Sequence, residues 1–430
     1  MTQSIVPSEA RTLDEIRPSP FDALAKKVLY SLLRGLGRGQ LTLVDGSEQR
    51  TFGHPSDDFP LEATIKVYHP RFYTSTLFGG SVGASESYMT GQWSPDDLTT
   101  VVRILALNRE VLEGMEKGWA RITAPLHKFF HLLRSNTKKG SRINIAAHYD
   151  LGNDFYALFL DETLTYSCGI FEREDSTLKE ASIAKYDRIC KKLQLSAADH
   201  VVEIGTGWGG FAIHAVKNYG CRITTTTISK SQYELAKERI EKAGVGERVD
   251  LLLVDYRDLK GRYDKLVSIE MIEAVGHQYL DRFFRACSEL LKADGMMLLQ
   301  AITIADQVFD QHKRSVDFIK RFIFPGSCIP SIAAISRSIA RATDLRLYHL
   351  EDITDHYART LRMWRERFFN NIDKVRALGY PETFIRMWEY YLCYCEGGFT
   401  ERYLGDVQVL LTKPLCRRPP ILPPLEFPEC

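Results

Sequence analysis

The ten residues V-V-E-I-G-T-G-W-G-G, at positions 201–210, decide the fold. An apolar run of β-type residues leads into a cluster of glycines, and a helical pattern begins directly after them. Gly205 and Gly207 allow a sharp backbone turn and close approach to a ligand, because neither carries a Cβ atom. In open parallel sheets, ligands bind at the carboxyl ends of strands, where such turns stand. The stretch therefore predicts a cofactor site at the end of a buried strand.

Strands and helices alternate on the carboxyl side of this turn. Further β-type runs begin at Arg222, Val249, Lys265, Met296 and Val407. Helical patterns cover residues 210–217, 231–243 and 279–291, and a helical, aromatic stretch covers 306–342. This alternation predicts an α/β fold, with a parallel sheet covered on both faces.

The sequence before the turn has a different pattern, which predicts a separate domain. Short strands are expected within residues 41–67 and a helical stretch at 98–133. The polar, basic segment S-N-T-K-K-G-S-R at 135–142 is typical of a linker. We therefore predict an N-terminal domain at 1–134, a catalytic domain at 143–415 and an irregular tail at 416–430.

Apolar residues recur at helical spacing from Phe21 to Leu36, with lysines and arginines elsewhere on the helical wheel. The favoured interpretation is a core-packing helix with a solvated basic face. The alternative is an interfacial helix whose cations approach anionic lipid headgroups.

The composition of the 430 residues is globular, with 44% hydrophobic residues and a formal net charge of +1. No basic domain is present, so no nucleic-acid partner is predicted. The nine cysteines are scattered without zinc spacing, so no metal site is predicted. No secretory signal and no run of about 18 apolar residues occurs, and we therefore expect a cytoplasmic protein that meets lipid only from the surface.

The glycine turn alone fits either a dinucleotide or S-adenosylmethionine. Thr226, Thr227 and Ser229 stand where the ribose-binding acid of a dinucleotide site is usual. Glu203 and the later L-V-D-Y-R-D-L at 253–259 favour S-adenosylmethionine, with Asp255 and Tyr256 placed to hold an adenine.

Five motifs occur in an order that identifies a family resemblance. They are H-Y-D-L-G-N-D-F-Y at 148–156, L-T-Y-S-C-G at 164–169, E-I-G-T-G-W-G-G at 203–210, D-Y-R-D-L at 255–259 and F-I-F-P-G-S-C-I-P-S at 322–331. Together they resemble the cyclopropane-fatty-acyl-phospholipid synthases. The similarity covers roughly residues 143–414, and F-G-G-S-V-G-A-S-E-S-Y-M-T-G-Q-W at 78–93 extends it into the first domain.

The resemblance implies a Rossmann-like class I methyltransferase sheet with a helical lid, plus a smaller α+β N-terminal domain. It implies that a cis double bond of a phospholipid acyl chain takes the methyl group of S-adenosylmethionine, and that bound bicarbonate then removes a proton so that a cyclopropane ring closes. It also implies a homodimer that works peripherally on the inner surface of a membrane.

The resemblance also assigns residues. The cofactor-binding positions are Tyr166, Ser167, Gly205, Gly207, Trp208, Thr227, Gln232 and Tyr256. The bicarbonate pocket falls on Cys168, Glu273, Gln300, Ile302 and Tyr357. Cys168 and Ile302 are expected to act through backbone groups, while Glu273 and Tyr357 hydrogen-bond and orient the ion.

Two departures from the family pattern leave the product open. Ala274 and Gln300 stand where many synthases have histidine, and a glutamine amide donates a hydrogen bond but does not titrate near neutral pH. The cation formed by methylation could instead lose a proton elsewhere, giving a methyl-branched or methylene chain. More distant alternatives are a small-molecule methyltransferase and an inactive lipid-binding protein.

Overall fold

The computed structural model describes residues 19–111 and 151–421. The predicted linker at 135–142 lies outside the described residues. So do residues 1–18, the predicted helical stretch beyond residue 111 and the tail from residue 422 onwards.

Residues 19–111 form a small α+β unit, which we call the N-terminal unit. Its four-stranded sheet has the order β2–β1–β3–β4. The strands are β1 (Gly39–Asp45), β2 (Glu48–His54), β3 (Glu62–Val67) and β4 (Trp93–Pro95). The helices are α1 (Pro20–Leu33), α2 (Arg71–Met89) and α3 (Leu98–Leu107). The strands predicted within 41–67 are confirmed as β1 and β3, but the polar strand β2 and helix α2 were not predicted.

Helix α1 begins at a capping box, in which Ser19 accepts a hydrogen bond from the backbone N–H of Asp22. One face packs into the core through Ala25, Leu29 and Leu33. Two apolar side chains point to solvent instead: Phe21 is 71% exposed and Leu24 is 55% exposed. The core-packing prediction is therefore confirmed, and an apolar pair remains on the outer face.

Residues 151–421 carry a seven-stranded sheet with the order β10–β11–β9–β8–β5–β6–β7. The strands are β5 (His200–Ile204), β6 (Arg222–Thr226), β7 (Val249–Leu252), β8 (Tyr263–Ile269), β9 (Leu291–Ile304), β10 (Arg346–Asp352) and β11 (Leu404–Thr412). Strands β5 to β9 are mutually parallel. Apolar clusters lie on both faces of this sheet, as the alternating pattern predicts.

The helices of this region cover the sheet and one end of it. They are α4 (Asn153–Ala157), α5 (Leu178–Leu193), α6 (Gly210–Tyr219), α7 (Lys230–Lys242), α8 (Leu280–Leu290), α9 (Asp306–His312), α10 (Ile332–Ala342), α11 (Thr354–Asn370), α12 (Ile372–Ala377) and α13 (Glu382–Thr400). A short π-helix spans Ile319–Ile323. The sheet, with α9, the π-helix and α11–α13 over its carboxyl end, is the predicted class I methyltransferase fold with a helical lid.

The predicted parallel sheet is confirmed for β5 to β9, and one side of it carries antiparallel strands in addition. Strand β11 runs antiparallel to β9 and to β10. The half-buried residues of β10 give no strong apolar pattern, which is why this strand was missed. Three helices separate β10 from β11, so the chain returns from the lid into the sheet in the opposite direction.

A buried arginine joins the N-terminal unit to helix α13. Arg386 donates from Nε to the Tyr88 carbonyl at 2.6 Å and from an Nη atom to the Trp93 carbonyl at 2.9 Å. Its guanidinium also lies 4.0 Å from the centre of the Tyr88 ring. Nearby, the Tyr88 hydroxyl donates to Glu389 at 2.7 Å. The unit is thus fixed to the lid by directed polar contacts inside a continuous apolar core.

We expect Arg386→Leu to lower the free energy of unfolding by about 3 kcal/mol, because two buried carbonyls lose charged donors. The exposed Arg337→Leu on α10 is the matched control and should change it by less than about 0.5 kcal/mol. Urea unfolding of both variants checks this. Equal losses in the two variants would contradict the joining role of Arg386.

Candidate active site

The carboxyl ends of β5, β6, β8 and β9 open into a cavity of about 440 Å³. The lid closes it through Phe324 of the segment after the π-helix and Tyr391 of α13. The N-terminal unit also lines it, through Val102 and Leu105 of α3. The predicted position of the site at the strand ends agrees with this cavity.

The glycine turn after β5 has the positive φ angles that glycine adopts readily, in agreement with the predicted sharp turn. Gly205 has φ +103° and Gly207 has φ +54°. The backbone N–H of Gly205 donates to the Thr226 carbonyl at 3.1 Å, which ties the turn to β6. Helix α6 then begins at Gly210, so the turn presents backbone to the cavity.

The end of β6 supplies polar groups where a ribose-binding acid is usual. The Thr227 hydroxyl donates to Gln232 Oε1 at 3.0 Å, and both side chains are buried. The Ser229 side chain caps α7 by accepting from the Gln232 N–H. The cap fixes the start of α7, and Gln232 in its first turn lines the cavity.

The segment after β7 forms the next wall. Asp255 is buried and pairs with Arg257 at 2.6 Å, so its carboxylate is already neutralised within the chain. Tyr256 packs edge-on against Phe283 with ring centres 5.5 Å apart and lines the cavity. A flat ligand in the cavity would therefore contact the Tyr256 ring rather than the Asp255 carboxylate.

Three further residues that line the cavity are held by hydrogen bonds. The Tyr166 hydroxyl donates to the Tyr391 hydroxyl at 2.9 Å. Ser167 accepts from the Lys185 ammonium at 2.6 Å. The indole N–H of Trp208 donates to Asn153 at 2.7 Å. Trp208 is therefore anchored by α4 and is not only packing material for the core.

All eight sequence-predicted cofactor positions line this one cavity: Tyr166, Ser167, Gly205, Gly207, Trp208, Thr227, Gln232 and Tyr256. They come from four separate stretches of chain. Their convergence on a glycine turn fits a nucleoside-containing ligand, for which backbone approach and an aromatic ring are both needed. Bound there, S-adenosylmethionine would supply an electrophilic methyl group.

A carboxylate pair lies at the end of β8. Glu273 Oε1 accepts from the backbone N–H of Ile302 at 2.6 Å, so two of the positions assigned to the bicarbonate pocket contact each other. Glu273 Oε2 is buried without a hydrogen-bond partner among the described residues. Burial, together with the negative charge of Glu270, raises the pKa of Glu273 to about 8. This residue therefore holds a proton at neutral pH.

Glu270 is the residue that sequence reasoning missed. One of its oxygens accepts from the backbone N–H of Cys168 at 2.9 Å and from Gln300 Nε2 at 2.8 Å. The other accepts from the Tyr357 hydroxyl at 2.5 Å. The sequence does carry a signal for it, since S-I-E-M-I-E at 268–273 places a second glutamate directly after the strand.

Further ionisable groups surround Glu270 from two sides. Asp406 of β11 is fully buried, with one oxygen 3.4 Å from Gln300 Nε2, and burial together with Glu270 raises its pKa well above the usual range. Lys185 of α5 is fully buried as well, and burial lowers its pKa while Glu270 opposes that fall. The burial of Cys168 raises the pKa of its thiol, so this residue contributes its backbone rather than a thiolate.

These contacts decide whether bicarbonate fits. The resemblance assigns five positions to the ion, and the structure brings all five together. However, Cys168, Gln300 and Tyr357 donate to Glu270, and Ile302 donates to Glu273. Because its hydrogen-bond donors are engaged by two carboxyl groups of the chain, this arrangement does not fit a bound bicarbonate.

Two glycines of the turn give a matched test of the cofactor site. An alanine in place of Gly205 would have to adopt φ +103°, and its Cβ would lie 3.4 Å from Met271. The Cβ of an alanine in place of Gly207 would have no neighbouring atom within 4 Å. We expect Gly205→Ala to weaken S-adenosylmethionine binding at least tenfold and Gly207→Ala about threefold, since φ +54° is the milder strain. Calorimetric titration measures the affinity of each variant for S-adenosylmethionine. Affinities equal to that of the wild type would contradict a cofactor site at this turn.

Known proteins are similar to this chain in sequence. The tuberculostearic acid methyltransferase UfaA1 of Mycobacterium tuberculosis is 40% identical over 78% of this chain and 79% of its own. The cyclopropane-fatty-acyl-phospholipid synthase of Escherichia coli K12 is 36% identical over 82% of this chain and 88% of its own.

Solved structures are similar as well. The cyclopropane synthase MmaA2 from Mycobacterium tuberculosis superposes with a TM-score of 0.58 at 32% identity, covering 63% of this chain and 98% of that one. The mycolic acid cyclopropane synthase CmaA1, complexed with SAH and CTAB, gives 0.59 at 33% identity, with the same coverage. The profile of the family described as mycolic acid cyclopropane synthetase matches residues 136–409. The chain belongs to this family of S-adenosylmethionine-dependent methyltransferases.

Proposed function

We propose that the protein transfers a methylene group from S-adenosylmethionine to the cis double bond of unsaturated phospholipid acyl chains, forming cyclopropane fatty acids. The observation that carries this proposal is one cavity in which a glycine turn, carboxylates and many aromatic rings meet. A methyl donor, a base and a site for a carbocation are the three requirements of the reaction.

The aromatic rings suit a cationic intermediate. Tyr166 and Phe324 line the cavity with ring centres 6.5 Å apart, and Tyr391 lies 6.3 Å from Phe324. Tyr357 stacks on Phe399 with centres 4.3 Å apart. The electron-rich faces of such rings attract a cation, and their bulk keeps water from it.

The rest of the lining suits a long apolar chain. Leu361 of α11 and Ile319 of the π-helix face the cavity from the lid. Val102, Leu105 and Ala106 face it from α3 of the N-terminal unit. An acyl chain in contact with these residues would lie between the N-terminal unit and the lid, with its double bond near the carboxylates.

A second candidate function is C-methylation of the same chains without ring closure. It is favoured by the relative at 40% identity, which is named a tuberculostearic acid methyltransferase. A Pseudomonas putida relative at 37% identity is named a probable fatty acid methyltransferase. Gln300 stands where many synthases have histidine. Its amide donates a hydrogen bond to the Glu270 carboxyl group, which lies near the proposed position of the double bond.

Action on phospholipids requires contact with a bilayer, and the proposed contact is helix α1. Phe21 and Leu24 are exposed on it, and the exposed cation Lys27 lies one turn further on. Exposed apolar side chains beside cations match an anionic phospholipid surface. No helix within residues 19–111 or 151–421 is long and apolar enough to cross a membrane. The cytoplasmic location and the homodimer stay predictions.

The reaction is tested with purified protein, methyl-labelled S-adenosylmethionine and vesicles of cis-monounsaturated phospholipid. We expect mass spectrometry to find label in a saturated ring across the former double bond. Label in a branched or still unsaturated chain would support the second candidate instead. Absence of label in the lipid, with intact cofactor binding, would refute both.

The bilayer contact is tested by vesicle sedimentation. We expect the double variant Phe21→Ser, Leu24→Ser to bind anionic vesicles about 30-fold more weakly, because about 2 kcal/mol of apolar insertion is lost. Leu378→Ser, which removes an apolar side chain that is 46% exposed elsewhere, is the control and should bind like the wild type. Equal binding by the double variant would exclude α1 as the contact.

A further inference from the structure

We propose that the Glu270 carboxylate is the base of the reaction and stands in the place that the family resemblance assigns to bicarbonate. The inference rests on the proposed function, in which a proton must be removed after methyl transfer. It differs from the expectation for the family, because the base is then a side chain of the protein rather than a bound ion.

The first argument is the identity of the donors. Glu270 accepts hydrogen bonds from the Cys168 backbone N–H, the Gln300 amide and the Tyr357 hydroxyl. All three are positions expected to bind bicarbonate. A carboxylate has the same planar pair of oxygens as bicarbonate, so one set of donors serves either group.

The second argument is the fixed orientation of the amide. Lys192 Nζ donates to Gln408 Oε1 at 2.8 Å, and Gln408 Nε2 donates to Gln300 Oε1 at 3.0 Å. An ammonium has no acceptor, so each amide in this chain has only one consistent orientation. Gln300 must therefore direct its NH₂ group at an acceptor, and Glu270 provides it.

The third argument is exclusion of the other carboxyl groups. Burial raises the pKa of Glu273 to about 8, and burial together with the charge of Glu270 raises the pKa of Asp406 well above its usual range. Asp406 is also fully buried, whereas Glu270 is half-buried and lines the cavity. Glu273 also lines the cavity, but one of its oxygens has no hydrogen-bond partner among the described residues, whereas both oxygens of Glu270 accept from donors.

The chemistry balances with this base. The alkene π electrons form a bond to the methyl carbon as the carbon–sulfur bond breaks, which leaves a carbocation beside the new methyl group. A C–H bond of that methyl then breaks, and its electron pair forms the third carbon–carbon bond of the ring. The proton passes to Glu270, giving a neutral carboxyl group that returns the proton to water after the product leaves.

The backbone of Glu270 makes a sharp test available. Its φ is +48°, a conformation that glycine adopts without strain. Glu270→Gly therefore removes the carboxylate, frees the three donors and keeps the turn. Glu270→Gln keeps the side-chain volume but supplies no base. The exposed Glu238→Gln on α7 is the control for a surface glutamate.

The first measurement needs no lipid. In carbon-dioxide-free buffer, bicarbonate is titrated calorimetrically into the full-length wild type and each variant, after S-adenosylmethionine affinity has shown that each is folded. We expect bicarbonate to bind to Glu270→Gly and at least tenfold more weakly, or not detectably, to the wild type and Glu270→Gln. Wild-type binding as tight as that of Glu270→Gly would overturn the proposal, whether or not the lipid reaction is confirmed.

The second measurement is turnover with labelled S-adenosylmethionine and vesicles. We expect wild-type and Glu238→Gln turnover to be unchanged by removal of bicarbonate, and Glu270→Gln to lose at least 100-fold with cofactor affinity within about twofold. Glu270→Gly should be equally slow without bicarbonate and recover when it is added. A wild type that needs bicarbonate, or a fully active Glu270→Gln, would overturn the proposal. A wild type that labels no lipid would instead refute the proposed function.

Discussion

The pairing of β8 with β9 is the constraint on which the site depends. These parallel strands place Ile269 opposite Gln300, and the backbone N–H of Glu270 continues the ladder by donating to the Gln300 carbonyl at 2.8 Å. The Glu270 carboxylate and the Gln300 amide therefore meet at one strand end, 2.8 Å apart. A shift of one residue in this register would turn the amide to the other face of the sheet.

The lid completes what the sheet begins. Tyr357 comes from α11 and reaches Glu270 only because the chain between β10 and β11 folds back over the strand ends. Burial raises the pKa of Tyr357 far above its usual range, so its hydroxyl stays a neutral donor. The N-terminal unit then packs on α13 through Arg386 and closes the cavity from the side. Sheet, lid and N-terminal unit thus each contribute one wall.

The sequence predicted the sheet well, because the sheet follows from local patterns, while the assignment of its residues to a cofactor stays a prediction. A buried strand that enters glycines has few alternatives, and the eight positions predicted to bind the cofactor all line one cavity. Strands β2 and β10 were missed because their residues are polar or half-buried, so they carry no apolar alternation. Glu270 was missed for another reason: its contacts come from residues 30 to 102 positions away, and no local pattern reports them.

A base carried by the chain changes what the surrounding residues must do. A bound ion loses translational freedom each time it enters, whereas a side chain is already in place for every turnover. The donors that would otherwise select and hold an ion need only fix the orientation of Glu270, and a glutamine that cannot titrate suits this task as well as a histidine. Proton removal then depends on the distance between Glu270 and the cation. The aromatic walls that position the acyl chain therefore decide whether the new methyl group or a neighbouring carbon loses the proton.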